Sequence, residues 1–173
     1  MASINLISVL LKEKIYKLKG ACILKNSSDF PSIIYLQTLN KCNYACSMCP
    51  YRETTHQEPI KKISMKLFEK IISELAKEKN FINLTLDLHN EPLLDKNLLD
   101  YARKFKKEMP NKILEIETNA SLLTKNNIPL LYKYFDTIYI SLSAFEPETY
   151  KKVTNRNNFN NIYSILKYIS TNK

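Results

Sequence analysis

A chain of 173 residues with 45% hydrophobic side chains has room for one domain, with a core that removes roughly two-thirds of its unfolded surface. Its 26 Lys and Arg outnumber 17 Asp and Glu, for a formal net charge of +9; they are spread rather than massed, with no aromatic-interleaved basic motif, so they read as solvated helix faces and not as a nucleic-acid footprint. The start lacks the basic segment of a secretory leader, and the apolar run from Ile4 to Leu11 is broken by Asn5 and Ser8 and too short to span a bilayer. The expectation is therefore a reducing, cytoplasmic setting that suits unpaired thiols.

Taken in order, residues 3 to about 19 read as an amphipathic helix, with Ile4, Ile7, Leu10, Leu11, Ile15 and Leu18 on one side and lysines elsewhere. Gly20, the chain's one glycine, ends it, and Cys22 reads as a buried free thiol. A first strand, Ile33 to Thr38, runs into Cys42, Cys46 and Cys49, a CxxxCxxC cluster. Disulfides between such close neighbours would close loops too small to remove much unfolded-state entropy, so metal ligation is the better use of the three. Soft thiolates select zinc, copper(I) or iron-sulfur clusters. Tetrahedral zinc would need a fourth ligand, for which His56 is the convenient candidate; an iron-sulfur cubane can take three cysteines and leave one iron open.

Beyond the loop, Ser64 is placed to cap a helix carrying Leu67, Phe68, Ile71, Ile72 and Leu75 at helical spacing. A second strand covers about Asn83 to His89, with a helix near Asn97 to Lys107 capped by Asp95 or Asn97. A third strand spans Ile113 to Thr118, with a short helix near Asn126 to Tyr134. A fourth spans Thr137 to Leu142, and a helix runs from about Asn158 to Ser170. Strand-then-helix units in series predict parallel strands joined by crossovers. Leu84, Leu86 and Leu88, then Leu114 and Ile116, then Ile138, Ile140 and Leu142 fall on one face; Asp87, His89, Glu115, Glu117, Ser141 and Ser143 fall on the other. A doubly wound sheet is apolar on both faces, whereas a barrel holding a polar ligand alternates in this way, so the predicted fold is α/β, a partial (β/α) barrel with a polar interior.

Cys42, Cys46 and Cys49, with Met48 just before the last cysteine, resemble the signature loop of the radical S-adenosylmethionine (radical SAM) enzymes, and Met48-Cys49-Pro50 resembles the branch that often carries an additional SPASM cluster domain. The resemblance implies a 4Fe-4S cluster on the three cysteines. Its open iron would bind the amino and carboxylate groups of S-adenosylmethionine, with reductive cleavage to a 5′-deoxyadenosyl radical that abstracts hydrogen from an unidentified substrate, peptide or small molecule. It also implies an electron donor such as flavodoxin or ferredoxin. Leu88-His89-Asn90-Glu91-Pro92-Leu93-Leu94 is similar to the family's Gly-Glu-Pro-Leu-Leu segment, which holds the cofactor's amino group. Asn90 stands where glycine is usual, and because Asn tolerates left-handed φ the loop is expected to keep its shape. Glu117-Thr118-Asn119-Ala120 resembles Thr-Asn-Gly with alanine for glycine; Asn119 either reaches the ligand or satisfies loop backbone. Ser141-Leu142-Ser143-Ala144, then Pro147-Glu148-Thr149-Tyr150 and Arg156, resembles a Ser-Leu-Asp-Gly strand end followed by a Glu-Thr-Tyr turn and a basic residue, whose Ser and Arg meet the cofactor's carboxylate and ribose.

The cofactor-binding expectation is thus Met48, Asn90, Glu91, Asn119, Ser141 and Arg156. No substrate acid or base is nominated, and His56 and His89 read as polar fillers or substrate-side residues. Residues 1–31 form an N-terminal helical extension and 32–173 a barrel truncated after its fourth unit. A bare fourth strand would expose pairing groups, so the chain is a fragment, a truncated product or a half-barrel completed by a second chain. Two other readings stand beside the enzyme: a non-catalytic iron-sulfur protein, and a zinc-stabilised basic nucleic-acid-binding module.

Overall fold

The computed structural model describes residues 30–54 and 57–171. The chain divides between Pro31 and Ser32 into two units, and the architecture that follows is that of the second. The predicted helix over residues 3 to 19, Cys22 and His56 all lie outside the described residues.

Four strands, β1 (Ile33–Tyr35), β2 (Asn83–Thr85), β3 (Ile113–Thr118) and β4 (Thr137–Ile140), lie side by side in sequence order, and every neighbouring pair is parallel. Helices α1 (Tyr51–Thr54) and α2 (Met65–Leu75) follow β1, α3 (Leu98–Glu108) follows β2, and α4 (Ile128–Tyr132) follows β3. Helices α5 (Pro147–Thr154) and α6 (Phe159–Thr171) follow β4. This is the α/β, partial-barrel arrangement predicted from the alternation of strands and helices.

The helices form where local chemistry favours them. The Ser64 hydroxyl accepts the Leu67 N–H at 3.1 Å and opens α2, which buries Phe68, Ile72 and Leu75 at i, i+4 and i+7. Before α3, Asp95 Oδ1 accepts the Asn97 N–H at 3.0 Å. The two helices meet through the rings of Phe68 and Tyr101, centroids 4.6 Å apart. The sheet's covered face carries Leu84, Leu86, Leu114 and Ile116, each 0% exposed; burying side chains of this size stabilises the fold by about 1.5–3 kcal/mol apiece.

The register sets Ile33 beside Asn83 and Ile113, and Tyr35 beside Thr85 and Glu115, while Glu117 lies beside Tyr139. That opposite face is open: Tyr35 is 58% exposed and Tyr139 52%. It is also the polar face that alternation predicted, with Asn83, Thr85, Asp87, Glu115 and Glu117 on it.

Strand β3 has the predicted bounds, while β1, β2 and β4 stop earlier than predicted, and β2 shows why. The Leu86 N–H still pairs with the Glu115 carbonyl at 3.0 Å, but the next donor, the Glu117 N–H, is taken by Asp87 Oδ1 at 2.7 Å. A side chain replaces the backbone acceptor, and the main chain is free to leave the sheet. Leu88, predicted to continue the apolar face, therefore lies in the loop and is 55% exposed. Residues Pro147 to Tyr150, expected as a turn, instead open α5, with Pro147 in its first turn where a missing N–H costs nothing.

Candidate active site

The cysteine loop, the loop after β2, the end of β3 and the segment after β4 surround one cavity of about 200 Å³. It lies at the carboxyl ends of the strands, where βα barrels place their chemistry. Of the residues predicted from sequence, Cys42, Cys46, Cys49, Met48, Asn90, Glu91, Asn119 and Ser141 line it, joined by Asp87, Glu117 and Ser143. Arg156 does not; it borders a separate depression with Asn43, Tyr44 and Ser121.

All three cysteines are free thiols and half-buried. Burial pushes the Cys42 thiol up, with Glu91 and the other two sulfurs adding to the effect against a hydrogen bond from the Tyr44 N–H. Burial likewise raises Cys46, and the neighbouring Cys49 adds to it while Arg156 works the other way. The Tyr44 N–H lies 3.4 Å and the Asn119 amide 3.9 Å from Cys42 Sγ, donors of the kind that tune thiolates in iron-sulfur sites.

Backbone bonds to distant parts of the chain hold the loop in shape. The Arg156 guanidinium donates to the Asn43 carbonyl and lies over the Tyr44 ring, 5.7 Å from its centroid. Asn155 Nδ2 donates to the Ala45 carbonyl at 2.8 Å, and the Ser47 N–H donates to the Val153 carbonyl at 2.8 Å. Tyr44, 4% exposed, places its hydroxyl 3.0 Å from that of Tyr150 and within 2.8 Å of Asn158 Oδ1. The Tyr51 hydroxyl accepts the Cys42 N–H at 3.0 Å. Of this set the sequence singles out Arg156, as a cofactor contact, and Tyr150 within the same motif; Asn155 after a helix is of a type that favours the left-handed cap, and its φ is 56°.

Glu91 is 1% exposed. Its carboxylate accepts the Thr118 hydroxyl at 2.7 Å and the N–H groups of Asn119 at 2.8 Å and Leu93 at 3.1 Å, and its own N–H bonds the Lys41 carbonyl at 2.9 Å. Burial raises its pKa, opposed by those three hydrogen bonds. Glu91 thus ties the β2 loop to both β3 and the cysteine loop. Asn90 turns Oδ1 back to the Leu88 N–H at 3.1 Å and leaves Nδ2 buried without a partner among the described residues.

The expected left-handed φ at Asn90 is absent. Among the described residues it occurs only at Ala120, φ 61°, and Asn155. Asn119 satisfies loop backbone, since its Oδ1 accepts the Ser121 N–H at 3.0 Å; its Nδ2 donates to Asn43 Oδ1 at 2.9 Å, and the side chain lines the cavity. Ser141 Oγ donates to Glu117, and Met48 lies at the rim, 65% exposed.

No three His, Cys, Asp or Glu side chains among the described residues are gathered as around a single metal ion. A cubane does not ask for that, because each thiolate binds a different iron. Three soft sulfurs on one cavity wall, N–H donors at Cys42 and an unpartnered Asn90 amide are a donor set that fits such a cluster with a polar ligand beside it.

A parallel βα sheet whose strand ends open into a thiol-lined cavity gives the chain the fold class of the βα barrels. Its sequence matches the radical SAM superfamily over residues 36–172. It is 30% identical over 148 residues to an uncharacterised protein of Methanocaldococcus jannaschii, covering 85% of this chain and 46% of that one. It is 26% identical over 133 residues to the GTP 3′,8-cyclase of Limosilactobacillus fermentum, covering 75% and 39%. Among solved structures it resembles BtrN in complex with AdoMet and 2-DOIA, with a TM-score of 0.64, 19% identity and 80% and 52% coverage. It also resembles Streptococcus suis SuiB bound to S-adenosylmethionine, with a TM-score of 0.62, 17% identity and 94% and 39% coverage. The chain belongs to the radical SAM superfamily, an enzyme family that uses a 4Fe-4S cluster and S-adenosylmethionine. It spans about half the length, or less, of the relatives it matches. No described helix is long and apolar enough to cross a membrane.

Proposed function

We propose that this chain forms the cluster-bearing part of a radical SAM enzyme, with Cys42, Cys46 and Cys49 as the ligands of a 4Fe-4S cluster. When bound, the cluster and S-adenosylmethionine supply reductive cleavage to a 5′-deoxyadenosyl radical, drawing on an electron donor of the flavodoxin or ferredoxin kind. The observation that carries the reading is the meeting of the three thiols in one cavity with Asn90, Glu91, Asn119 and Ser141.

The chain's own residues hold and exclude. Asn90 Nδ2, buried and unpartnered, is the free donor for the cofactor's carboxylate. Glu91 fixes the loop that faces the amino group, while Ser141 and Asn119 border the ribose side. Met48 covers the cluster at the rim. Arg156 acts through the Asn43 carbonyl and the Tyr44 ring, and so shapes the cysteine loop instead of touching the cofactor. A wall that seats these groups in advance and keeps water out is the protein's share of such chemistry.

Anaerobic reconstitution tests the reading. The expected result is about four irons per chain, a spectral change on adding S-adenosylmethionine, and deoxyadenosine under a strong reductant. Cys46→Ala should lower the iron content and abolish the response. An unchanged iron content in that variant, or zinc in place of iron, overturns the assignment.

A further inference from the structure

The open face of the sheet, directly beneath the cysteine cavity, carries acceptors with too few donors to fill them. Asp87, Glu115 and Glu117 come from two adjacent strands, and in a chain with a net charge of +9 none of them forms an ion pair among the described residues. Their bonds are to neutral groups: Glu115 accepts Asn83 Nδ2 and the Tyr139 hydroxyl, Glu117 accepts Ser141, and Asp87 Oδ1 accepts the Glu117 N–H.

A second observation is independent of the acids. On the same face, in the rows beside Ile113 and Glu115, Asn83 is 9% exposed and Thr85 3%. Asn83 Oδ1 and Thr85 Oγ1 are buried without a partner among the described residues. A buried acceptor is costly to leave unfilled, so the wall is short of donors.

From this geometry we infer that the open face is the substrate subsite, and that it takes a ligand bearing a primary ammonium group; the inference rests on the function proposed above. An ammonium has three donors and no acceptor, the complement of a wall of carboxylates, an amide oxygen and a hydroxyl. A divalent cation fits less well. No three His, Cys, Asp or Glu side chains among the described residues are grouped as around one ion. Asp87 and Glu117 also line the cysteine cavity, which puts the amine end of the ligand next to the cluster side.

The test is calorimetric titration of the reconstituted full chain at pH 7.5 with 1,3-diaminopropane, with 1,3-propanediol and magnesium chloride as comparators. Saturable diamine binding in the low millimolar range or tighter is expected, with none for the diol. Glu115→Gln should weaken it about tenfold or more, and Glu74→Gln on α2 should leave it unchanged. Diamine binding no tighter than diol binding, insensitivity to Glu115→Gln, or displacement by equimolar magnesium overturns the inference. The response of the cluster spectrum to S-adenosylmethionine, measured on the same samples, separates the two claims. Its loss with amine binding intact removes the proposed function, whereas its persistence without amine binding removes only the amine subsite.

Discussion

Ala120 holds φ 61° at the end of β3, a conformation that costs a residue with a Cβ about 1–2 kcal/mol. It stands where the family's Thr-Asn-Gly motif carries glycine, so in this chain the left-handed backbone sits at this position and not at Asn90. One residue type at each site could not reveal which of the two loops needed the unusual backbone. The cysteines were legible because their side-chain chemistry alone narrows the uses of three clustered sulfurs. Glu91 was legible as a site residue but not as a tie between loops, since its partners Thr118 and Asn119 lie 27 and 28 residues away. Asp87 carries a prediction at this scale. Burial first, then Glu117, Glu91 and Glu115, push its carboxyl up to about 6. A folded pKa raised above the unfolded value near 3.9 means that the native state favours the proton. Stability therefore falls as pH rises from about 4 to about 6, and the full penalty stands above that. Asp87→Asn keeps an oxygen for the Glu117 N–H, and should stabilise the metal-free chain by about 1–2 kcal/mol at pH 7.5 after allowing for screening at the cavity. The gain should vanish by pH 4, as read from urea midpoints across that range.

At the scale of elements, the cysteine loop and the end of α5 act as one piece, joined by the bonds from Ser47 to Val153, from Asn155 to Ala45 and from Arg156 to Asn43. Asn155→Gly keeps the left-handed cap and removes only the bond to Ala45. Faster amide hydrogen exchange at residues 42–49 is expected, with little change in β2 or β3; unchanged exchange there would mean that the loop is held by other bonds. Strand and helix identities were readable from periodicity, because a parallel sheet with one covered face writes a two-residue repeat into β2, β3 and β4. The end of β3 was readable, but where β2 ends was not. That is decided by Asp87 replacing a backbone acceptor, a tertiary event with no local pattern. Helix α5 was missed because only Tyr150 and Thr154 of its eight residues are buried, too short a stripe to register as helical spacing.

For the whole unit, burial is lopsided. Leu84, Leu86, Leu114 and Ile116 are fully enclosed, whereas Ile33, Tyr35 and Tyr139 on the outer strands are more than half exposed and α6 buries only Ile162. Native-state hydrogen exchange should accordingly show the slowest amides in β2 and β3, with β4 and α6 opening at lower free energy; uniform protection across all four strands would contradict this. The contacts that tie the cysteine loop to α5 and the residues after it join residues 106 to 114 positions apart. A ribosome makes the three sulfurs early and their supports late, so a nascent chain ending before Val153 displays the thiols on a slack tether. Iron delivered during synthesis would meet a loop without its final form, so the cluster site proposed above is complete only once nearly the whole of this unit has emerged from the exit tunnel.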